Sequence, residues 1–319
     1  MLFINSWAMG QDIHFSQFYA SPLSLNPSLT GNQGKWSIMN NHRRQWGVVS
    51  VPYITTSFGF DHVFYIKSQK FAGGIFILND QSGPGHLTGT GFYLSGAYHR
   101  EFGKQTILLG IQAGYMMKTI DQVTFPQQFD PVSSSFNARL PSGETGLSGE
   151  LSYPDINAGI YWKHESGTWK PHGGIGIFHI LQPDAGFVSS GKLPVRFNVH
   201  GGFEYALNEK LALKPELLYM YQQKANLLIG GVNAEFYMDF KSIESVWFGC
   251  FARNTLGSTD ALIANAGVSI KNFLLGFSYD VNISKLNPAT NFQGGIELSL
   301  LYKVPDIRLE KTAIPCDVF

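Results

Sequence analysis

The chain has 319 residues, enough for one large domain or two ordinary ones, and balances 23 basic against 23 acidic residues. Charged residues make up 14% of it, against roughly 25% in ordinary soluble domains, while aromatics contribute another 14%. So little charge would leave a soluble surface poorly clothed, and the absence of any basic stripe excludes nucleic acid as a partner.

The two cysteines, Cys250 and Cys316, exclude a disulfide framework and a multi-cysteine metal site. They read as a buried thiol and an unpaired tail thiol, with a single bridge between them as the alternative. No run approaches the roughly 18–20 apolar residues that a spanning helix needs.

Residues 1–10 read as the end of a signal peptide. Leu2, Phe3, Ile4, Trp7 and Ala8 form a short apolar stretch, and Ala8-Met9-Gly10 offers small residues at the cleavage positions, leaving Gln11 as the new N-terminus. A charged start is missing, so the signal is read as truncated. Export follows as the expectation.

Residues 11–33 do not alternate consistently. Asn26-Pro27 and Thr30-Gly31 are turn formers, so an irregular segment is expected here. Phe15, Phe18 and Tyr19 argue against free solvation. Ordered irregular backbone at membrane depth must be buried in protein or line a cavity, so the segment should plug the lumen or brace the barrel in the periplasm.

From residue 34 to residue 303 the dominant signal is period-two alternation. In the clearest case Val195, Phe197, Val199, Phe203 and Tyr205 alternate with Arg196, Asn198, His200 and Glu204. Residues two apart lie on nearly opposite sides of a helix, so only a strand separates them this way. Phe273, Leu275, Phe277 and Tyr279 against Ser278 and Asp280, and Ile296, Leu298 and Leu300 against Glu297 and Ser299, repeat the pattern.

Such segments number about fourteen, an even count as in bacterial barrels. The polar positions are glycine, serine, asparagine and scattered charge, which suits a confined lumen better than a solvated face. Tyr19, Tyr98, Tyr115, Tyr161-Trp162, Tyr219, Tyr221, Tyr279 and Tyr302 sit near segment ends, as interfacial girdles do. The expected fold is all-β: a transmembrane antiparallel up-and-down β-barrel with membrane lipids around it and an irregular N-terminal segment. A long loop at 119–150 should lie at one mouth or fold inward. Residues 304–319 form a C-terminal tail.

Signatures of chemistry are weak. There is no Gly-x-Ser-x-Gly elbow, no His-Glu-x-x-His and no phosphate-cradling loop, so no catalytic residue, cofactor or metal is expected. Gly173-Gly174-Ile175-Gly176 reads as small lumen or packing positions. His172 and His179, seven apart in one expected strand, should face opposite ways.

The binding and structural candidates are Phe15, Gln17 and Tyr19 to seat the N-terminal segment, and Asn26, Pro27 and Gly31 to shape its turn into the first strand. Arg43 and Gln45 share one face of that strand's end and should hydrogen-bond carbonyls of the segment. Trp46, on the other face, should anchor at the membrane interface. The competing view of Arg43 is a solvated rim charge.

Phe15-Ser16-Gln17-Phe18-Tyr19, then Leu25-Asn26-Pro27 and Thr30-Gly31, resembles the opening signature of the PorP/SprF proteins of the type IX secretion and gliding machinery. Arg43-Arg44-Gln45-Trp46 is similar to that family's Arg-x-Gln-Trp element, and Phe125 with Gln128 and Asp130 resembles a further feature. The tail Ile314-Pro315-Cys316 with Phe319 resembles the usual Cys-Pro-x-Phe ending, departing from it at Asp317-Val318. The likeness spans nearly the whole chain.

Membership implies a non-enzymatic outer-membrane barrel. It would dock or help export and anchor a secreted surface protein through the C-terminal domain of an adhesin-like cargo, or link to other secretion components of the periplasmic ring. The alternatives are a channel for small or lipophilic solutes and, further off, a membrane-embedded hydrolase.

Overall fold

The computed structural model describes residues 12–47, 51–83, 87–120, 129–130, 135–136, 149–187, 190–238, 240, 242–255, 258–284 and 290–306. The expected signal-peptide remnant at 1–10, Phe125, Gln128 and Cys316 with its tail lie outside them. Among the described residues no helix is long and apolar enough to cross a membrane.

Fourteen strands close into one antiparallel barrel. They are β1 (Trp36–Gln45), β2 (Tyr53–Ile66), β3 (Gln69–Ser82), β4 (Leu87–Phe102), β5 (Gln105–Ile120), β8 (Gly149–His164), β9 (Trp169–Phe178), β10 (Arg196–Asn208), β11 (Leu211–Gln222), β12 (Ala225–Tyr237), β13 (Ile243–Thr255), β14 (Ser258–Ile270), β15 (Phe273–Asn282) and β16 (Gln293–Val304). Two short strands, β6 (Phe129–Asp130) and β7 (Ser135–Phe136), pair separately within the long connection. β1 seals the wall against β16, from Trp36 opposite Val304 to Gln45 opposite Gly295. Closure leaves no sheet edge, which is what a wall surrounded by hydrocarbon requires.

The alternation read in the sequence separates the two faces of this wall. On β10, Phe197 and Val199 are 40% and 46% exposed on the outside, while Asn198 and His200 are 2% and 7% exposed within. Connections differ between the ends. Where the chain enters β1 they are tight, as at Lys67-Ser68, Gly103-Lys104 and Lys271-Asn272; β5 ends, β8 begins, β9 ends and β10 begins at the opposite mouth.

Several expectations need correction. The lumen is not uniformly polar: Leu108, Leu218, Ile229, Phe251 and Ile263 face inward and are buried. A segment inside the barrel has apolar side chains of its own, and these need an apolar wall. Tyr19 and Tyr161 are not girdle residues, since both rings are held in the lumen, Tyr161 stacked on His200 at 5.7 Å. Cys250 is an exposed free thiol on the wall rather than a buried one. His172 and His179 do not diverge. β9 stops at Phe178, and His179 takes a φ of +57° that turns it back inside, where His172 also reaches Glu216.

Candidate functional site: the occupied lumen

Residues 12–31 run through the barrel interior as short turns. Pro22 opens α1 (Pro22–Leu25), and Pro27 opens a 3-10 turn (Pro27–Leu29). Proline suits a first helical position because its fixed φ is already helical and that position's N–H has no internal partner. Asn26 caps the second turn, its Oδ1 accepting from the Ser28 N–H at 3.0 Å and hydroxyl at 2.7 Å. Its Nδ2 donates to the Ile160 carbonyl at 3.0 Å and meets His200 Nε2 at 3.1 Å. One carboxamide thus fixes the local turn and ties it to β8 and β10.

Wall glycines make the close approach possible. A Cβ at Gly110 would strike the Ser28 backbone, and one at Gly159 the Asn26 side chain. Gly174 and Gly176 lie against Asn26 and Leu25 in the same way. Gly31 ends the segment at a φ of +73°, and its N–H donates to Asp61 at 2.9 Å. Only glycine takes that φ readily, and a side chain there would meet Ala72 and Val63.

Apolar contacts fill the space between these bonds. Phe18, Leu25 and Leu29 pack with the buried wall residues Leu108, Leu218 and Ile263. The Tyr19 ring lies 6.0 Å from that of Phe251, and Phe15 is 3% exposed.

A charged lock holds the first turn. Glu297 accepts the backbone N–H groups of Ser16 at 2.7 Å and Gln17 at 2.9 Å. Arg43 donates to Glu297 at 3.1 Å, to Asp280 at 2.7 Å and to the Ser16 hydroxyl. Asp280 also receives Arg253 at 2.7 Å and Ser16 Oγ at 2.8 Å. The Gln17 side chain spans Ser299 and the Glu297 carbonyl. At 3% exposure Arg43 is not a solvated rim charge. Nor does it reach carbonyls of the segment, as expected from the sequence; it holds side chains, and Gln45 Oε1 braces its guanidinium at 3.0 Å. Trp46 lies just past β1 with its ring edge-on to Tyr53 at 5.1 Å.

A second clasp closes the long-loop end. Asp12 meets His179 Nε2 at 2.6 Å and Arg196 at 3.0 Å, while His179 Nδ1 meets Asp155 at 2.9 Å. Burial alone would lower the His179 pKa, but the carboxylates of Asp12 and Asp155 raise it to about 8. Burial would raise the Asp12 carboxyl, yet Arg196 and His179 hold it well below the usual carboxylate range.

The sign of the pH dependence follows from these directions. His179, raised from 6.5, contributes stability that is full below that value and lost as pH rises through about 8. Asp12, lowered, contributes above its ordinary 3.8 and loses its part only as pH falls below it. Protease protection of residues 12–15 is therefore expected to weaken between about pH 6 and about pH 9. His179→Gln should remove most of that change; the same change in the variant would assign it to another group.

The sequence alone does not single out Asp280, Glu297, Arg253, Asp61, Asp12 and His179 as site residues. The available signal was charge on the inward register of strands whose other inward positions are Ser, Asn and Gly. Among the described residues no cluster could hold a metal ion.

A closed fourteen-stranded wall with its own N-terminal segment folded inside defines an outer-membrane type of β-barrel with an internal plug. A family model described as type IX secretion system membrane protein PorP/SprF matches residues 8–302, and the chain belongs to that family. Among solved structures, the toluene transporter TbuX of Ralstonia pickettii is similar at 14% identity and a TM-score of 0.51, covering 89% of this chain and 92% of its own. The monoaromatic hydrocarbon channel CymD is similar at 10% identity and a TM-score of 0.53, covering 90% and 93%. At those identities the likeness is one of fold. No match to a curated protein was found.

Proposed function

We propose that this barrel is a non-enzymatic docking component of the type IX secretion system, which holds an adhesin-like secreted protein at its long-loop mouth during export or anchoring. The observation that carries this reading is the seated segment: a lumen crossed by residues 12–31 and locked by buried ion pairs suits a scaffold better than an open conduit. In this reading Phe15, Gln17, Tyr19, Asn26, Pro27 and Gly31 seat the plug, Arg43 and Gln45 lock it, and Trp46 anchors the rim. Short turns of such barrels face the periplasm, so the tight-turn rim is the surface offered to the periplasmic secretion ring.

The test is co-purification from detergent-solubilised outer membranes, together with deletion of the gene. Recovery of a surface protein with the barrel, and its loss from the cell surface on deletion, is the expected pair of results. If every surface protein stayed in place after deletion, the docking role would fall. A second reading, passage of lipophilic solutes, draws on one observation only, an apolar chamber beside the plug.

A further inference from the structure

That chamber lies at the long-loop mouth, with a volume of about 410 Å³. It is bounded below by the plug residues Phe15 and Ser24 and on the side by β3, β4, β5 and β8. Its wall is a second apolar stretch of the lumen, separate from the one that faces Phe18, Leu25 and Leu29. Phe76, Leu78, Tyr93, Met116 and Tyr153 all point inward from neighbouring strands and form one apolar surface. Apolar side chains turned into a hydrated lumen are unfavourable unless something covers them. Leu23 of the plug packs against part of this surface, and the chamber lies over the remainder.

The polar groups at the rim are unequally answered. Asp12 and Asp155 are matched by Arg196 and His179, and Asp80 accepts the hydroxyls of Thr55 at 2.6 Å and Ser82 at 2.7 Å. Lys118 lies over the face of Tyr153, 5.5 Å from its Nζ, attracts Asp12 at longer range, and forms no ion pair among the described residues. Arg196, 8% exposed, lines the same chamber with a buried Nε that has no partner. Asp155 Oδ1 is also unpartnered. Three carboxylates nearby make a multiply charged head unfavourable, whereas one negative charge is met by Lys118 and the positive charge of the Arg196 guanidinium.

We propose that this chamber binds an apolar chain or ring that ends in a single carboxylate. Two sources share that chemistry, a free amphiphile and the C-terminal residue of a polypeptide. The site is read by direct binding, so it stands or falls separately from the docking role.

The experiment uses the full chain in lipid nanodiscs, titrated calorimetrically against empty nanodiscs with dodecanoate and with dodecanol. A peptide pair follows, N-acetyl-Gly-Ser-Leu-Phe as free acid and as amide. Saturable binding of at least one acid is expected, about tenfold or more tighter than its uncharged counterpart. Lys118→Met should erase that preference and Lys118→Arg should keep it. Leu78→Trp, which fills the chamber from another strand, should abolish binding of both. Binding of dodecanoate alone identifies a free amphiphile, and binding of the peptide acid alone identifies a polypeptide end. Equal binding of acid and uncharged partner, no saturable binding of either acid, or binding unchanged by both Lys118→Met and Leu78→Trp overturns the proposal.

Discussion

Replacing Arg43 and Gln45 together by alanine is expected to release the plug while leaving the barrel closed. Arg43 is 3% exposed, and its two acidic partners, Asp280 and Glu297, are fully buried. Removing one member of a buried ion pair typically costs about 3–5 kcal/mol, because the remaining charge has lost its water and its partner alike. Here two carboxylates are left, and Arg253, which also pairs with Asp260, reaches Asp280 but not Glu297. Glu297 would have to protonate or draw water inward, and in either case its grip on the Ser16 and Gln17 amides weakens. The β1 pairings to β2 and β16 are backbone bonds and do not depend on either side chain. Limited proteolysis should then cut within residues 12–31 in the variant and not in the native protein. Arg43→Lys should fall between, since an ammonium cannot span both acids and Ser16 as a guanidinium does. Unchanged protection in the double alanine variant would remove Arg43 from the lock.

Gly110→Val is expected to have the second large effect, by steric rather than electrostatic means. The new Cβ would meet the Ser28 backbone and the adjoining Pro27 carbonyl carbon, not the tip of a side chain that could swing away. Overpacking of a core typically costs about 1–3 kcal/mol, and an obstacle made of backbone lies at or beyond the upper end of that range. The wall strand itself tolerates valine, a good strand former. The variant should therefore keep the heat-modifiable gel mobility of a folded barrel and lose protection of residues 12–31. Gly96→Ala is the control, because a Cβ there has nothing nearer than the Ala72 carbonyl at 3.9 Å. If Gly110→Val and Gly96→Ala behaved alike, the plug would not be seated against β5 as described.

The barrel was legible in the sequence because lipid imposes a strict rule. Outward positions must be apolar and inward ones small or polar, so Phe197, Val199, Asn198 and His200 disclose their faces by type alone. The boundaries were less legible where the backbone departs from the strand region. A φ of +57° at His179 leaves no mark in composition, yet it decides that the residue joins the Asp12 clasp.

The irregular segment ahead of β1 was visible as a break in alternation, and its aromatics argued for burial. Its partners were not visible. Glu297 and Asp280 are separated from Ser16 by most of the chain, and they meet it only because β16 and β15 close on β1. Inward apolar residues such as Phe251 and Ile263 were not legible for a related reason. Alternation tells which residues face in, but not whether the interior holds water or protein.

The most direct test of a lumen closed by its own N-terminal segment is single-channel current across a planar bilayer containing the full chain. The native barrel should pass no sizeable current, and the variant lacking Arg43 and Gln45 should show stepwise conductance as its plug leaves. A large, steady conductance through the native protein would contradict a locked plug.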